Sequence, residues 1–378
     1  MKGYRLALPR RKGLELIVYL KVLAAAIGLL KMTGPYKGEC RVRNVSHAES
    51  QIFIDLPVNA ETKSKAVQSL FWNSRQSHAI VQAAETQSNE TIVRYRVLRQ
   101  LTGDLPEVRT PVSLSGWLGS HPEHFGFIDG YQEVKIANGT TSWILPNQSS
   151  TWVIHVHGRR AGMGETLRNL EQFAQLGYSQ MTISMRTDAK PFGLGKKVSR
   201  LGATEWVEIE QAVQFARAAG ASDIVLFGWS QGALISGLFL INSHEAKHVK
   251  GAIFDSPLLD YRNTMRFQAE KGGYERYLGD SVVNAIRDSK LIRLLGYKNV
   301  DVDNVSLIRD LKLPDIHVLV LYSMNDGHVA IEDVHKLQAL NAQVQLVEIP
   351  NARHCRLYNE DQDRYKSAIG SWLKQNDI

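Results

Sequence analysis

The apolar run DIVLFG at residues 223–228 breaks off into Gly228-Trp229-Ser230-Gln231-Gly232, and the small-residue run GALISGLFL follows at once. A chain that turns this sharply from strand to helix strains the backbone of its central residue, and the flanking glycines stand where a Cβ would collide. The turn lifts the Ser230 hydroxyl above the end of a sheet. It also sets that hydroxyl at a helix N-terminus, where developing negative charge is favoured.

From residue 131 onward the chain repeats the same alternation. YQEVKIA and TSWILP read as a hairpin around Asn138-Gly139, a favoured two-residue turn. WVIHVHG reads as a strand, GETLRNLEQFAQLG as a helix stopped by Gly177, QMTISM as a strand, and TEWVEIEQAVQFARAAG as a helix stopped by Gly220. AIFDSP, HVLVLY and QLVEIP are further apolar, β-branched runs, and RYKSAIGSWLKQ closes the chain as a helix. Strands that are apolar on both faces and alternate with helices predict an α/β fold with a mostly parallel sheet, covered on both sides.

A serine hydroxyl is a poor nucleophile near neutral pH and needs a base, with an acid to orient that base. Such groups belong on loops at the carboxyl ends of later strands. Asp326 lies in SMNDGHV just after HVLVLY, and His354 lies in NARHC just after QLVEIP. The order Ser230, Asp326, His354 is the one this architecture uses. Asp333 and Asp315 are weaker rivals, one inside a helix-like stretch and the other ahead of a strand.

An oxyanion hole needs two backbone N–H groups. Gln231 follows the serine, and Arg159 follows His157-Gly158 at the end of WVIHVHG, so these two are the candidates. Only the backbone of Arg159 enters that argument. Its side chain and that of Arg160 either face solvent or meet an anionic substrate. The chemistry requires no metal or organic cofactor, and no Cys/His spacing resembles a zinc site. Cys40 and Cys355 read as free thiols, with a single bridge as the alternative.

The HG loop at 157–158, the GWSQG elbow, the Asp326 loop and His354 together resemble an α/β-hydrolase-fold serine hydrolase over residues 131–378. The stretch LGATEWVEIEQAVQFARAAGASDIVLFGWSQG is the longest part similar to the branch without a large cap, the ABHD-like and serine aminopeptidase-like proteins. The resemblance implies a Ser-His-Asp triad, an acyl-enzyme on Ser230 and a small-molecule or lipid-like ester substrate. It says almost nothing about which ester. In this family the slot at 258–315 usually carries a lid. Here MRFQAEKGGYERYL and SVVNAIRDSKLIRLLG read either as a mobile cover or as helices docked on the sheet.

The first 130 residues lie outside that resemblance. Lys2, Arg5, Arg10, Arg11 and Lys12 precede a run of 17 residues, Leu14 to Leu30, that is apolar apart from Glu15 and Lys21. Basic stretch followed by apolar stretch is the order of a signal anchor over residues 1–33. That reading predicts a membrane-associated protein with an extracytoplasmic body, with a cleaved signal or a docked helix as alternatives. Residues 34–130 read as an accessory region. QIFIDLPV, IVRYRVL and PVSLSGWL are strand-like there, and KAVQSLFW reads as a short helix.

The formal charge of +7 does not point to nucleic acid, because residues 1–43 hold ten Lys or Arg against two acidic residues, and the remaining 335 residues hold 35 against 36. The expected activity is hydrolysis of a carboxylic ester or thioester, and the membrane-directed N-terminus tilts the expected substrate toward lipid-derived or acylated molecules. A peptidase or acyltransferase with the same triad is the alternative, and a catalytically silent binding protein is the third reading.

Overall fold

The computed structural model describes residues 12–30, 38, 40–84, 91–127, 130–137, 139–187, 199–309 and 313–378. The helix α1 (Lys12–Leu30) comes first. It is followed by an antiparallel sheet of seven strands: β1 (Cys40–Arg41), β2 (Asn44–Ala48), β3 (Gln51–Pro57), β4 (Gln68–Trp72), β5 (Ser77–Ala83), β6 (Ile92–Thr102) and β7 (Pro111–Ser115). Their spatial order is β1-β7-β4-β5-β6-β3-β2. The three strand-like runs expected in this region fall in β3, β6 and β7.

KAVQSLFW is corrected: its last five residues form β4, not a helix. The reason is burial on both faces. Leu70 and Trp72 enter the core of this sheet, while on the other face Phe71 packs against Trp117 and stacks on His78. A run pinned on both sides between two partner strands follows the period of two, whatever its local helix propensity.

The second sheet contains β8 (Gln132–Lys135), β9 (Thr141–Leu145), β10 (Thr151–Val156), β11 (Ser179–Ile183), β12 (Asp223–Trp229), β13 (Val249–Asp255), β14 (His317–Tyr322) and β15 (Val344–Glu348). Its order is β15-β14-β13-β12-β10-β11-β9-β8, and it is parallel apart from the β8–β9 hairpin at one edge. In that hairpin Lys135 faces Thr141, the Ile136 N–H donates to Thr140 O and the Gly139 N–H donates to Ile136 O, so the connection is three residues, 137–139, and not the expected two. Asn138 lies outside the described residues, as do residues 188–198 and the basic residues Lys2, Arg5, Arg10 and Arg11.

The helices α2 (Leu170–Gln175), α3 (Trp206–Ala218), α4 (Gln231–Asn242), α5 (Tyr261–Lys271), α6 (Arg276–Asp288), α7 (Lys290–Leu294), α8 (Glu332–Leu340), α9 (Leu357–Glu360) and α10 (Gln362–Gln375) complete the chain. α3, α4 and α8 bury residues such as Ile209, Leu234 and Leu337 on one face of the parallel sheet. Phe173 of α2 and Tyr365, Ile369 and Trp372 of α10 cover the other. β11 lies on one side of β10 and β12 on the other. The winding therefore reverses between β10 and β12, and loops at the carboxyl ends of strands diverge at such a point and open a crevice.

The membrane anchor is corrected as well. No helix among the described residues is long and apolar enough to cross a membrane, and the extracytoplasmic placement of the body falls with the anchor on which it rested. α1 is a docked helix. Leu23, Ala26 and Leu30 are buried in the same core as α3, α4 and α6, and full burial of a leucine contributes about 1.5–3 kcal/mol. Lys21 extends toward the ring of Tyr274, 6.0 Å from its centre. The carbonyls at the helix end are also satisfied: Arg159 Nη2 donates to Gly28 and Leu29 at 2.7 and 2.6 Å, and Arg160 Nη2 donates to Gly28 at 2.9 Å. Guanidinium groups at a helix C-terminus complement both the unbonded carbonyls and the helix dipole.

Candidate active site

β12 delivers Ser230 to the crevice. Its φ is +50° and its ψ −115°, a conformation an L-residue adopts only under constraint. The constraint comes from close packing on either side. A Cβ at Gly232 would run into the carbonyl oxygen of Val156, and one at Gly228 would lie 2.6 Å from Ala233 Cα. Ser230 N–H donates to Asp255 O at 2.9 Å, and Ser230 O accepts from Leu258 at 3.1 Å, which fixes the turn from below.

The structure brings Ser230, His354 and Asp326 together. His354 Nε2 lies 2.9 Å from Ser230 Oγ, and His354 Nδ1 lies 2.7 Å from Asp326 Oδ2. Asp326 Oδ1 accepts the backbone N–H groups of His328 at 2.7 Å and Val329 at 3.2 Å, so the carboxylate is held in one orientation. Burial alone would raise the Asp326 acid. The charge and hydrogen bond of His354, with the two backbone donors, outweigh it and hold the group below the ordinary carboxylate value. Burial opposes the His354 imidazolium, yet the Asp326 carboxylate, followed by Cys355, holds its pKa well above the usual histidine value. Asp333 bonds instead to Asn263 and Lys336.

The His354 loop is clamped from both sides. Cys355 N–H donates to Ser256 Oγ at 3.0 Å, and Arg168 Nη1 donates to Cys355 O at 2.8 Å. Cys40 and Cys355 form no disulfide, as expected, and burial pushes the Cys355 thiol up to about 11.

Toward the first sheet, Arg353 and Arg356 both pair with Glu61, at 2.6 and 2.8 Å, and Arg356 also donates to Gln68 and to Leu114 O. Nothing in the sequence marks Glu61, since it sits in a polar stretch without catalytic spacing. Nor does the sequence mark His328. Its ring stacks on His354 with centres 4.9 Å apart, and burial, then the neighbouring His354, pushes its pKa down to about 4. Asp326, His328 and His354 have potential metal-ligand atoms within 4.8 Å of one another. The Asp326–His354 hydrogen bond already accounts for two of the three.

Gln231 is the first residue of α4, where a backbone N–H has no intrahelical acceptor. The Gly158 N–H donates to Glu165 Oε2 at 2.6 Å, and Arg159 is the next residue in that loop. Ser230, Gly158, Arg159 and His354 line a cavity of about 290 Å3. Trp117, Gly116 and Arg75 close it from the side of the first sheet.

The parallel sheet with its strand-to-helix turn at Ser230 defines an α/β-hydrolase fold, as the sequence predicts. An esterase of Pyrococcus furiosus is similar in structure, with a TM-score of 0.50 and 19% identity over 68% of this chain and 94% of the esterase. A putative hydrolase of Agrobacterium vitis S4 is similar at a TM-score of 0.50 and 14% identity, over 64% of this chain and 98% of that protein. At these identities the likeness concerns the fold. No protein-family pattern matches the sequence, and no curated protein matches it either.

Proposed function

We propose that this protein is a serine hydrolase of carboxylic ester or thioester bonds, acting through an acyl-enzyme on Ser230. The observation that carries the reading is the unbroken hydrogen-bonded line from Ser230 through His354 to a buried Asp326. Ser230 Oγ attacks the acyl carbon while His354 Nε2 takes its proton, and Asp326 fixes the imidazole tautomer and steadies its positive charge. The N–H groups of Gln231 and Arg159 receive the oxyanion. The tetrahedral species expels the alcohol or thiol, which leaves with the proton from His354. A water then attacks the acyl-enzyme with His354 again as base, and the acid departs as Ser230 regains its proton.

The likeness in fold to a protein named as an esterase supports this choice. Placement in the branch without a large cap is part of the proposal, supported by the modest span of α5–α7 between β13 and β14. A cavity of about 290 Å3 with charged walls suits a small ester better than a long acyl chain, and a lipid substrate has lost the support it drew from an anchor. The walls hold more guanidinium than carboxylate, which opposes capture of a peptide amine.

The test is turnover of p-nitrophenyl acetate and butyrate. The expected result is hydrolysis by the wild type and a loss of about 10³-fold or more in Ser230→Ala with the fold intact. Equal rates in the two proteins would overturn the reading.

A further inference from the structure

Among the parts of residues 34–130 that line the cavity is one short turn, which carries Arg75. Asn73, Ser74 and Arg75 have φ values of +49°, +55° and +68° in succession, and none is glycine. Left-handed backbone costs an ordinary residue roughly 1–2 kcal/mol, so three in a row persist only where surrounding contacts impose them. The result of the turn is the position of Arg75. Its guanidinium lies over the ring of Trp117 at 5.2 Å and 5.9 Å from the centre of Phe71. Behind it, Phe71 is stacked on His78 at 4.1 Å. Nη1 of Arg75 reaches the carbonyl oxygen of Arg160, in the loop beside Ser230, at 3.4 Å. The aromatic shelf holds the planar cation at the mouth of the cavity without neutralising it.

The charges facing Arg75 can be accounted for. Arg353 and Arg356 on the opposite wall are both paired with Glu61. Arg159 and Arg160 extend to the carbonyls that end α1. Glu165 accepts the Gly158 N–H. Arg75 is exposed and has no carboxylate partner among the described residues. Burial, then the nearby His124 and Arg99, keeps the His78 behind the shelf neutral, with its pKa pushed down to about 3.

We propose that Arg75 is a specificity residue which pairs with a negatively charged group, carboxylate or phosphate, on the ester substrate. The inference rests on the serine-hydrolase reading and adds the class of substrate. A guanidinium fork on a rigid aromatic support binds such a group with two parallel hydrogen bonds.

The experiment measures kcat/KM at low ionic strength for two matched pairs. Mono-p-nitrophenyl glutarate against p-nitrophenyl valerate places the charge on the acyl side. 4-Acetoxybenzoate against its methyl ester places it on the alcohol side. At least one anionic member should be preferred by 10-fold or more in the wild type, with the preference shrinking in high salt. In Arg75→Gln the ratio should fall to within about twofold of unity, and Arg75→Lys should keep part of it. A wild-type ratio near one for both pairs, or a ratio unchanged in Arg75→Gln, would overturn the proposal. Failure of the underlying reading is distinct: no member of either pair would then be turned over.

Discussion

The side chain of Arg159 donates to the backbone of Leu29 at 2.6 Å. A residue of the loop beside Ser230 is thus tied to the end of α1, the docked helix whose sequence resembles a signal anchor. The same guanidinium holds Gly28, and Arg160 adds a second hold on that carbonyl. The docking of α1 and the shape of the 157–160 loop are therefore mechanically linked.

Removing residues 1–30 strips Leu23, Ala26 and Leu30 from the core and leaves two arginines without those acceptors. The expected outcome is a lower Tm and turnover of a soluble ester slowed by at least 10-fold, read by calorimetry and steady-state kinetics. Full activity with an unchanged Tm would show that α1 is dispensable.

In the proposed mechanism His354 serves as a base only when neutral, so activity should be lost as pH falls through its folded pKa. The Asp326 carboxylate raises that pKa above the usual 6.5. The acid limb of the pH–rate profile should therefore have its midpoint above 6.5. In Asp326→Asn the limb should move to lower pH, because the charge that favours the imidazolium is gone. The rate should also fall by about 10²–10⁴-fold as the tautomer is misdirected. An unshifted limb in that variant would refute the assignment of Asp326.

Much of this was legible in the sequence because it depended on local patterns. The strand-turn-helix at Ser230 and the loop positions of Asp326 and His354 follow from apolar periodicity and chain order alone. What escaped was tertiary. KAVQSLFW is a strand because of what covers both its faces. Residues 14–30 carry the composition of an anchor, and their docked state depends on Arg159 and Arg160, well over a hundred positions away. Glu61, Arg75 and Trp117 lie on connections of a sheet with no motif, so only the packing of that sheet against the His354 loop brings them to the cavity.

Gly232→Ala tests the tightest point of the elbow. The added methyl would meet the Val156 carbonyl, a backbone atom of β10 that cannot swing aside. Loss of soluble protein, or a drop in Tm of several degrees with activity abolished, is expected. An active variant with wild-type Tm would mean the elbow is looser than the geometry requires.

Glu61→Gln removes the charge shared by Arg353 and Arg356 at the seam between the first sheet and the His354 loop. Hydrogen bonds to charged groups are worth about 1.5–3 kcal/mol, and Arg356 retains Gln68 and Leu114 O. A stability loss of about 1–3 kcal/mol in urea unfolding is expected on that basis. No change would mean that the pair is offset by its own desolvation.

Ser230 is proposed as a nucleophile activated by His354. The most direct measurement is reaction of the full-length protein with a fluorophosphonate, followed by peptide mass mapping. One adduct per chain is expected, located on Ser230, formed at least 10²-fold more slowly in His354→Ala and absent in Ser230→Ala. A folded wild-type protein that stays unlabelled by both the fluorophosphonate and a small reactive ester, or one labelled elsewhere, would contradict it.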